Sequence, residues 1–111
     1  MMRIKKDFDL IVTVIRKGCS EKVIEAAKDA GAEGGTVIMG RGTGIHERKK
    51  IMGIPIEPEK EIILTLIPEE ITQKVLEAII KAGDLDKPAT GIAFVLDVKQ
   101  VAGIVHLLED D

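Results

Sequence analysis

The alternation of hydrophobic and polar positions along the chain predicts four β-strands. The predicted strands cover residues 8–15, 35–39, 61–67 and 92–98. In the first of them, apolar side chains recur at every second position from Phe8 to Val14, and Ile11 and Ile15 lie on the other face. Apolar residues on both faces are typical of a central strand, so this strand is expected inside the sheet.

A helical period in the apolar residues predicts two helices between these strands. The first begins with Ser20 as the N-cap and ends near Ala30, where Gly31 provides the stop. The second opens at Pro68, which two glutamates follow, and Gly83 provides its stop. The expected buried stripes are Val23, Ile24, Ala26, Ala27 and Ala30 in the first helix, and Ile71, Val75, Ala78, Ile79 and Ala82 in the second.

The element order β-α-β-β-α-β predicts an α+β fold of the ferredoxin-like kind, in one domain over residues 1–111. Both helices should cover one face of a four-stranded antiparallel sheet. The strands at 8–15 and 61–67 are apolar on their second face as well, so copies of the same chain are expected to cover that face. After Val98 the pattern predicts one helical turn and then a short strand at 104–108.

Two loops interrupt this pattern. The longer one, residues 40–59, loses all periodicity and is predicted to have no structure of its own, which is common in binding loops. Pro55 and Pro58 should make its exit extended. The second loop, residues 84–91, precedes the last main strand.

Composition and charge narrow the class of protein. The chain has 111 residues, of which 45% are hydrophobic, and 16 basic against 19 acidic side chains give a net charge of −3. This balance and the presence of only two aromatic residues argue against nucleic-acid binding. A single cysteine fits a reducing, cytoplasmic setting. The N-terminal apolar run is too short and too charged for a signal peptide or membrane insertion.

Each loop carries groups suited to an anion. The sequence from Gly40 to Gly44, G-R-G-T-G, lacks the glycine spacing of the known phosphate loops, but it offers backbone amides, a guanidinium and a hydroxyl. A flexible hinge explains it equally well. Lys87, Thr90 and Gly91 of the second loop would form only a turn by themselves. Together, the two loops could share an anion at a subunit edge.

The centre of the long loop is basic and then apolar. Arg48, Lys49 and Lys50 precede Ile51 and Met52. A solvated face is the simpler interpretation of the three cations. The more specific interpretation is a loop tip that docks on a partner protein, with Ile51 and Met52 as its apolar anchor.

Metal binding and catalysis have weaker support. The two histidines, His46 and His106, lack metal-ligand spacing, and Cys19 is close to neither in sequence. Cys19 also has no base partner visible in the sequence, and no acid/base pair stands out among the carboxylates. The sequence therefore does not predict an enzyme, and no cofactor is required.

Three segments in order resemble the PII-type signalling proteins, and more narrowly the PII-like nitrogen regulators. They are G-G-T-V-I-M-G-R-G-T-G at 34–44, I-M-G-I-P-I-E-P-E-K-E-I at 51–62 and T-G-I-A-F-V-L-D-V at 90–98. The resemblance implies a homotrimer with sites between subunits for a small-molecule effector such as AMP, ADP or ATP. It also implies a long loop that docks on a transporter or an enzyme, in nitrogen or carbon metabolism.

Carried over residue by residue, Gly40, Arg41, Lys60 and Gly91 match the family's pattern around the ligand. The full expected set of ligand-binding residues is Gly35, Gly40, Arg41, Gly42, Thr43, Lys60, Lys87, Thr90 and Gly91. The expected partner-binding residues are Arg48, Lys49, Lys50, Ile51 and Met52.

The chain departs from the family's pattern at one glutamine and at several cations. Ile92 replaces the phosphate-binding lysine, Gly42 replaces a glutamine, and Gly103 and Val105 replace the phosphate-clamping arginines. The chain also has no tyrosine to be uridylylated. Each charge-assisted contact contributes about 1.5–3 kcal/mol, so we expect an altered ligand choice: a nucleotide with fewer phosphates or another small anion. Lys87 and Thr90 would replace part of the missing contacts.

Two alternatives stay open. A metal-tolerance trimer of the CutA type shares the fold, but it needs a cysteine and histidine grouping that the sequence does not suggest. A small enzyme of ferredoxin-like fold, such as an isomerase, would need a positioned acid/base pair.

Overall fold

The described part of the chain, in a computed structural model, comprises residues 4–43, 49–51, 54–56 and 58–103. The strands are β1 (Ile4–Lys5), β2 (Phe8–Arg16), β3 (Thr36–Arg41), β4 (Lys49–Ile51), β5 (Ile54–Ile56), β6 (Glu59–Pro68), β7 (Gly91–Val98) and β8 (Val101–Ala102). The helices are α1 (Ser20–Asp29), a short 3₁₀ turn (Glu69–Ile71) and α2 (Thr72–Gly83).

The main sheet has the strand order β3-β6-β2-β7, and all neighbours are antiparallel. This order confirms the predicted α+β, ferredoxin-like arrangement and the central position of the first predicted strand, β2. The register pairs Val12 of β2 with Leu64 of β6 on one side and with Phe94 of β7 on the other.

The core lies between the helices and one face of this sheet. Strand residues Ile11, Ile15, Ile63 and Ile67 are at most 1% exposed there. Helix residues Val23, Ala27, Val75 and Ile79 pack against them. Each fully buried branched side chain stabilises the fold by about 1.5–3 kcal/mol, so this layer holds the helices on the sheet.

The second face of the sheet is apolar, and among the described residues neither helix packs on it. Its inner strands contribute Leu10, Val12, Val14, Ile62, Leu64 and Leu66, which are half-buried. On the outer strands, Ile38, Ile92, Phe94 and Leu96 are 46%, 60%, 43% and 48% exposed. We call these ten side chains the open face. Soluble monomers rarely expose a continuous apolar surface of this kind.

The ends of the helices differ from the prediction. Cys19, not Ser20, is the N-cap of α1, and its side chain makes no capping hydrogen bond in the described structure. Asp84, not Gly83, ends α2 in a left-handed conformation, which aspartate tolerates. Gly83 is the last helical residue, and a Cβ there would come within 3.1 Å of the Leu85 side chain, which packs back over the helix end.

The long loop and the tail also differ from the prediction. Within the long loop, β4 and β5 pair as a hairpin, so the prediction of a structureless segment is wrong there. Three-residue strands are too short to produce a visible alternation. The predicted helical turn after Val98 is wrong too, because β8 pairs with β1, a strand that the pattern did not predict. The predicted strand at 104–108 lies outside the described residues.

Candidate functional site

Most of the residues that the sequence predicts to bind a ligand lie at one end of the main sheet. The chain leaves β2 and β3 and enters β6 and β7 at this same end, because the strands are antiparallel. Both loops therefore start or finish there. We call it the loop end of the sheet.

The base of the long loop continues the β3–β6 ladder. Gly40 lies opposite Lys60, and Arg41 lies opposite Glu59. One step further, the Gly42 N–H donates to the Pro58 carbonyl at 3.2 Å. The loop is therefore closed at its base by main-chain hydrogen bonds, and Lys60, which lies in this ladder, is only 6% exposed.

An ion pair joins the loop base to the turn after β2. Lys17 Nζ lies 2.8 Å from Glu59 Oε2, and the Lys17 N–H donates to the Glu59 carbonyl at 3.3 Å. The hydrogen bond and charge of Lys17, with a smaller contribution from Arg41, lower the pKa of Glu59, while the carboxylate raises the pKa of Lys17. The pair is exposed, so it orients the loop base more than it stabilises the fold.

Glu61 of β6 completes the N-terminus of α1. Its Oε1 accepts the N–H groups of Gly18, Cys19 and Ser20 at 2.8, 3.1 and 3.0 Å. Partial desolvation raises the pKa of Glu61, but the N–H and hydroxyl of Ser20 and the other two amides outweigh it, so the pKa is lowered. A carboxylate from a neighbouring strand thus replaces the missing side-chain cap.

The second loop is folded tightly on itself. The Thr90 hydroxyl lies 2.8 Å from the Asp84 carbonyl and 2.9 Å from the Lys87 carbonyl, and the Lys87 N–H donates to Asp84 O at 3.0 Å. The Lys87 ammonium is exposed and only 3.8 Å from the Asp84 carboxylate, a weak contact. Its charge thus remains available at the loop surface.

The exit of this loop depends on two special backbone positions. Gly91 has φ +152°, and a Cβ there would collide with the carbonyl oxygen of Val14 and come within 2.8 Å of Ile15 Cγ2. Only glycine permits this approach to β2. Ala89 has φ +64°, a left-handed conformation that costs a non-glycine residue about 1–2 kcal/mol.

Arg16 contacts Ala89 from the end of β2. Its Nε and Nη2 donate to the Ala89 carbonyl at 2.8 and 2.6 Å. Arg16 is not among the residues predicted from the sequence, since it lies 73 residues from its acceptor and has no local motif around it. Lys17 was missed for the same reason, because its partner Glu59 is distant in sequence.

A single chain does not bring the two groups of predicted ligand-binding residues together. Gly40 and Arg41 lie on the β3 edge and Gly91 on the β7 edge, with β6 and β2 between them. Three strand spacings separate the edges by about 14 Å. Gly35 belongs to neither group, since it lies just before β3, about 16 Å along the strand from Gly40.

The remaining predicted residues are placed as follows. Gly42 is half-buried and Thr43 is exposed at the loop base. Lys49, Lys50 and Ile51 form β4. Five of the residues discussed above lie outside the described part of the chain: Arg48, Met52, Val105, His46 and His106. Ile92, which stands where the resemblance expects a lysine, belongs to the open face next to the second loop.

Two further features of the described residues bear on other classes of protein. In the described ranges, no group of three or more histidine, cysteine, aspartate or glutamate side chains could hold a metal ion. The CutA-type alternative therefore has no candidate metal site there. Among the helices within these ranges, none has the length and apolar character needed to cross a bilayer.

The chain thus has a ferredoxin-like α+β fold in which both loops that the sequence predicts to bind a ligand lie at one end of the main sheet. The model of the family described as nitrogen regulatory protein P-II matches residues 8–106, and the chain belongs to this family. The family is one of regulatory proteins.

Solved P-II structures are similar to this chain in fold. A PII protein of Arabidopsis thaliana bound to citrate superposes with a TM-score of 0.66 at 21% identity, over 86% of this chain and 80% of that one. CPII, a nitrogen regulatory PII-like protein from Thiomonas intermedia K12 bound to ADP, AMP and bicarbonate, gives 0.67 at 20% identity, over 89% and 96%. No curated protein matches the sequence.

Proposed function

We propose that this protein is a homotrimeric regulator that senses a small molecule at clefts between subunits. One wall of each cleft is the base of the long loop, with Gly40, Arg41 and Lys60. The other wall is the second loop, with Lys87, Thr90 and Gly91. The ligand is an adenine nucleotide with few phosphates or another small anion, and the long loop carries the signal to a partner transporter or enzyme.

The observation that carries this proposal is the position of the two walls. They lie at the same end of the sheet but at opposite edges, about 14 Å apart. At that separation the backbones of the two loops of one chain do not approach the same small ligand, whereas a wall from each of two neighbouring chains can meet around it. The open face supports the same assembly, because copies packed around a common centre would cover its exposed apolar side chains.

The chemistry of the walls supports an anion of modest charge. Arg41, Lys60 and Lys87 are cations at the loop end. Part of this positive charge is already balanced, because Glu59 interacts with both Lys17 and Arg41, and the Asp84 carboxylate lies beside Lys87. Ile92 offers no charge where the family's pattern has a lysine. The solved relatives with citrate, and with ADP, AMP and bicarbonate, supply the ligands to test.

The assembly is tested by sedimentation equilibrium of the wild type and of Phe94→Asp. We expect a mass of about three protomers for the wild type and a smaller mass for the variant, since a carboxylate on the open face cannot be buried without a partner. Ile4→Asp is the matched control, because Ile4 is 44% exposed, close to the 43% of Phe94, but lies off the main sheet. A wild-type protein that sediments as one protomer would overturn the assembly.

The ligand is tested by calorimetry with ATP, ADP, AMP, citrate and bicarbonate. We expect binding of at least one, with ATP no tighter than ADP, and a tenfold or greater loss in Arg41→Ala. Lys28→Ala is the control, since α1 runs away from the loop end and Lys28 lies in its last turn. Absence of binding by all five at millimolar concentration would refute nucleotide or small-anion sensing.

A further inference from the structure

We propose that Arg16 is a positioning residue that holds the second loop in its ligand-ready shape. The inference rests on the proposed function, because it concerns one wall of the proposed cleft. Arg16 is the last residue of β2 and is exposed, so it is not needed to fill the core. Two of its N–H groups converge on one acceptor, the carbonyl oxygen of Ala89.

The acceptor belongs to a residue of the loop whose backbone is left-handed. Ala89 has a positive φ of 64°, between Pro88, whose own φ is fixed, and Thr90, whose hydroxyl closes the loop on Asp84 and Lys87. A carbonyl held by a two-donor guanidinium cannot rotate away, so Ala89 stays in a conformation that an alanine otherwise leaves.

The orientation of this carbonyl sets the orientation of an N–H. The peptide that joins Ala89 to Thr90 is planar and trans, so its C=O and N–H point in opposite directions. With the Ala89 carbonyl directed at Arg16, the Thr90 N–H is directed away from β2, towards the outer side of the loop. There it can donate to an anion beside the Lys87 ammonium.

Arg16 also lies between the two walls of its own chain. The ladder pairs Arg16 with Lys60, and Lys60 with Gly40, while the side chain of Arg16 reaches to the second loop on the other side. Across the loop end, the order is therefore long-loop base, Arg16, second loop. A shift of the second loop is thereby transmitted to the strand that borders the long-loop base.

The first test needs no ligand. Hydrogen exchange of residues 84–91 is compared in the wild type, Arg16→Ala, Arg16→Lys and Lys17→Ala. We expect faster exchange in both Arg16 variants, because a lysine cannot supply two donors to one carbonyl in the same way. Lys17→Ala removes the adjacent charge without touching the second loop and should exchange like the wild type. Unchanged exchange in Arg16→Ala would overturn the proposal, whatever the ligand is.

The second test uses ADP, AMP, citrate and bicarbonate as probes in calorimetry. We expect about tenfold weaker binding of the best probe in both Arg16→Ala and Arg16→Lys. Wild-type affinity in Arg16→Lys would mean that only the positive charge of residue 16 matters for binding. Wild-type affinity in Arg16→Ala, together with faster exchange of residues 84–91, would mean that the conformation of the loop does not matter for binding. Either result overturns the positioning role.

A double-mutant comparison isolates the strained residue. Ala89→Gly removes the penalty of the left-handed conformation. The loss of probe affinity caused by Arg16→Ala should therefore be smaller in the Ala89→Gly background. An equal loss in both backgrounds would overturn the role of Ala89. If the wild type binds none of the four probes, the proposed function fails. The exchange rates would still show whether Arg16 keeps the second loop in its observed conformation.

Discussion

The carboxylate of Glu61 is expected to be one of the strongest polar contributions to the stability of this fold. It accepts three backbone N–H groups at the start of α1, at 2.8, 3.1 and 3.0 Å, and Cys19 supplies no side-chain cap. Loss of an N-cap costs about 1 kcal/mol, and hydrogen bonds to a charged acceptor contribute about 1.5–3 kcal/mol. We therefore expect Glu61→Gln to cost about 1 kcal/mol and Glu61→Ala about 2 kcal/mol.

The dependence on pH follows from the lowered pKa of Glu61. The folded value lies below the ordinary value of 4.5, so the stabilisation is fully present above that value and is lost as the pH falls through the folded pKa. The difference in the free energy of unfolding between the wild type and Glu61→Gln should thus be largest near pH 7. It should shrink towards zero in acid, where the wild-type carboxyl is also neutral.

Denaturant unfolding at fixed protomer concentration, at pH 7 and in acid, measures this difference. Glu25→Gln is the matched control, because Glu25 is an exposed glutamate in the middle of the same helix. It should change the unfolding free energy by less than about 0.5 kcal/mol at both values of pH. A cost for Glu61→Gln that equals the control, or that persists unchanged in acid, would refute the capping argument.

Three further substitutions test the core and the backbone. Thr13 Oγ1 is a buried side-chain oxygen without a hydrogen-bond partner in the described structure, so Thr13→Val should stabilise the fold by about 1 kcal/mol in denaturant unfolding; destabilisation would point to a partner. Gly91→Ala should cost more than about 3 kcal/mol or displace the second loop, because its Cβ meets the Val14 carbonyl, whereas Gly42→Ala, which meets nothing, should be nearly neutral. Asp7 has φ +67°, so Asp7→Gly should raise the denaturation midpoint; a lowered midpoint would show that the side chain compensates for the strain.

The layer arrangement of this fold could be predicted from the sequence because its signals are local. The alternation in β2 and β6, and the helical stripes with Val23 and Val75, survive in the structure since each buries its own apolar face. Most boundaries moved by one or two residues, as when β3 continued to Arg41. Such extensions come from ladder partners, which a single stretch of sequence does not reveal. The start of the second helix moved further, because a 3₁₀ turn at Glu69–Ile71 lies between the predicted start at Pro68 and the first residue of α2.

Several of the errors have a different physical cause, a contact between residues that are distant in sequence. Glu61 caps a helix that begins 41 residues earlier, so a rule based on neighbouring residues selected Ser20 instead. The strand β8 exists because β1 pairs with it, and Arg16 joins the second loop through a contact over 73 residues. For the candidate site, the sequence supplied the two loops and their cations, but the order of β3 and β7 in the sheet was needed to separate them into two walls.

The separation of these walls has a thermodynamic consequence for the proposed trimer. A ligand that touches two neighbouring chains stabilises their association by the same free energy with which the association stabilises the bound ligand. The apparent affinity for the effector would then depend on the amount of protein present, and the effector in turn would resist dilution of the ring. A cell could therefore adjust the sensitivity of such a sensor through its abundance alone.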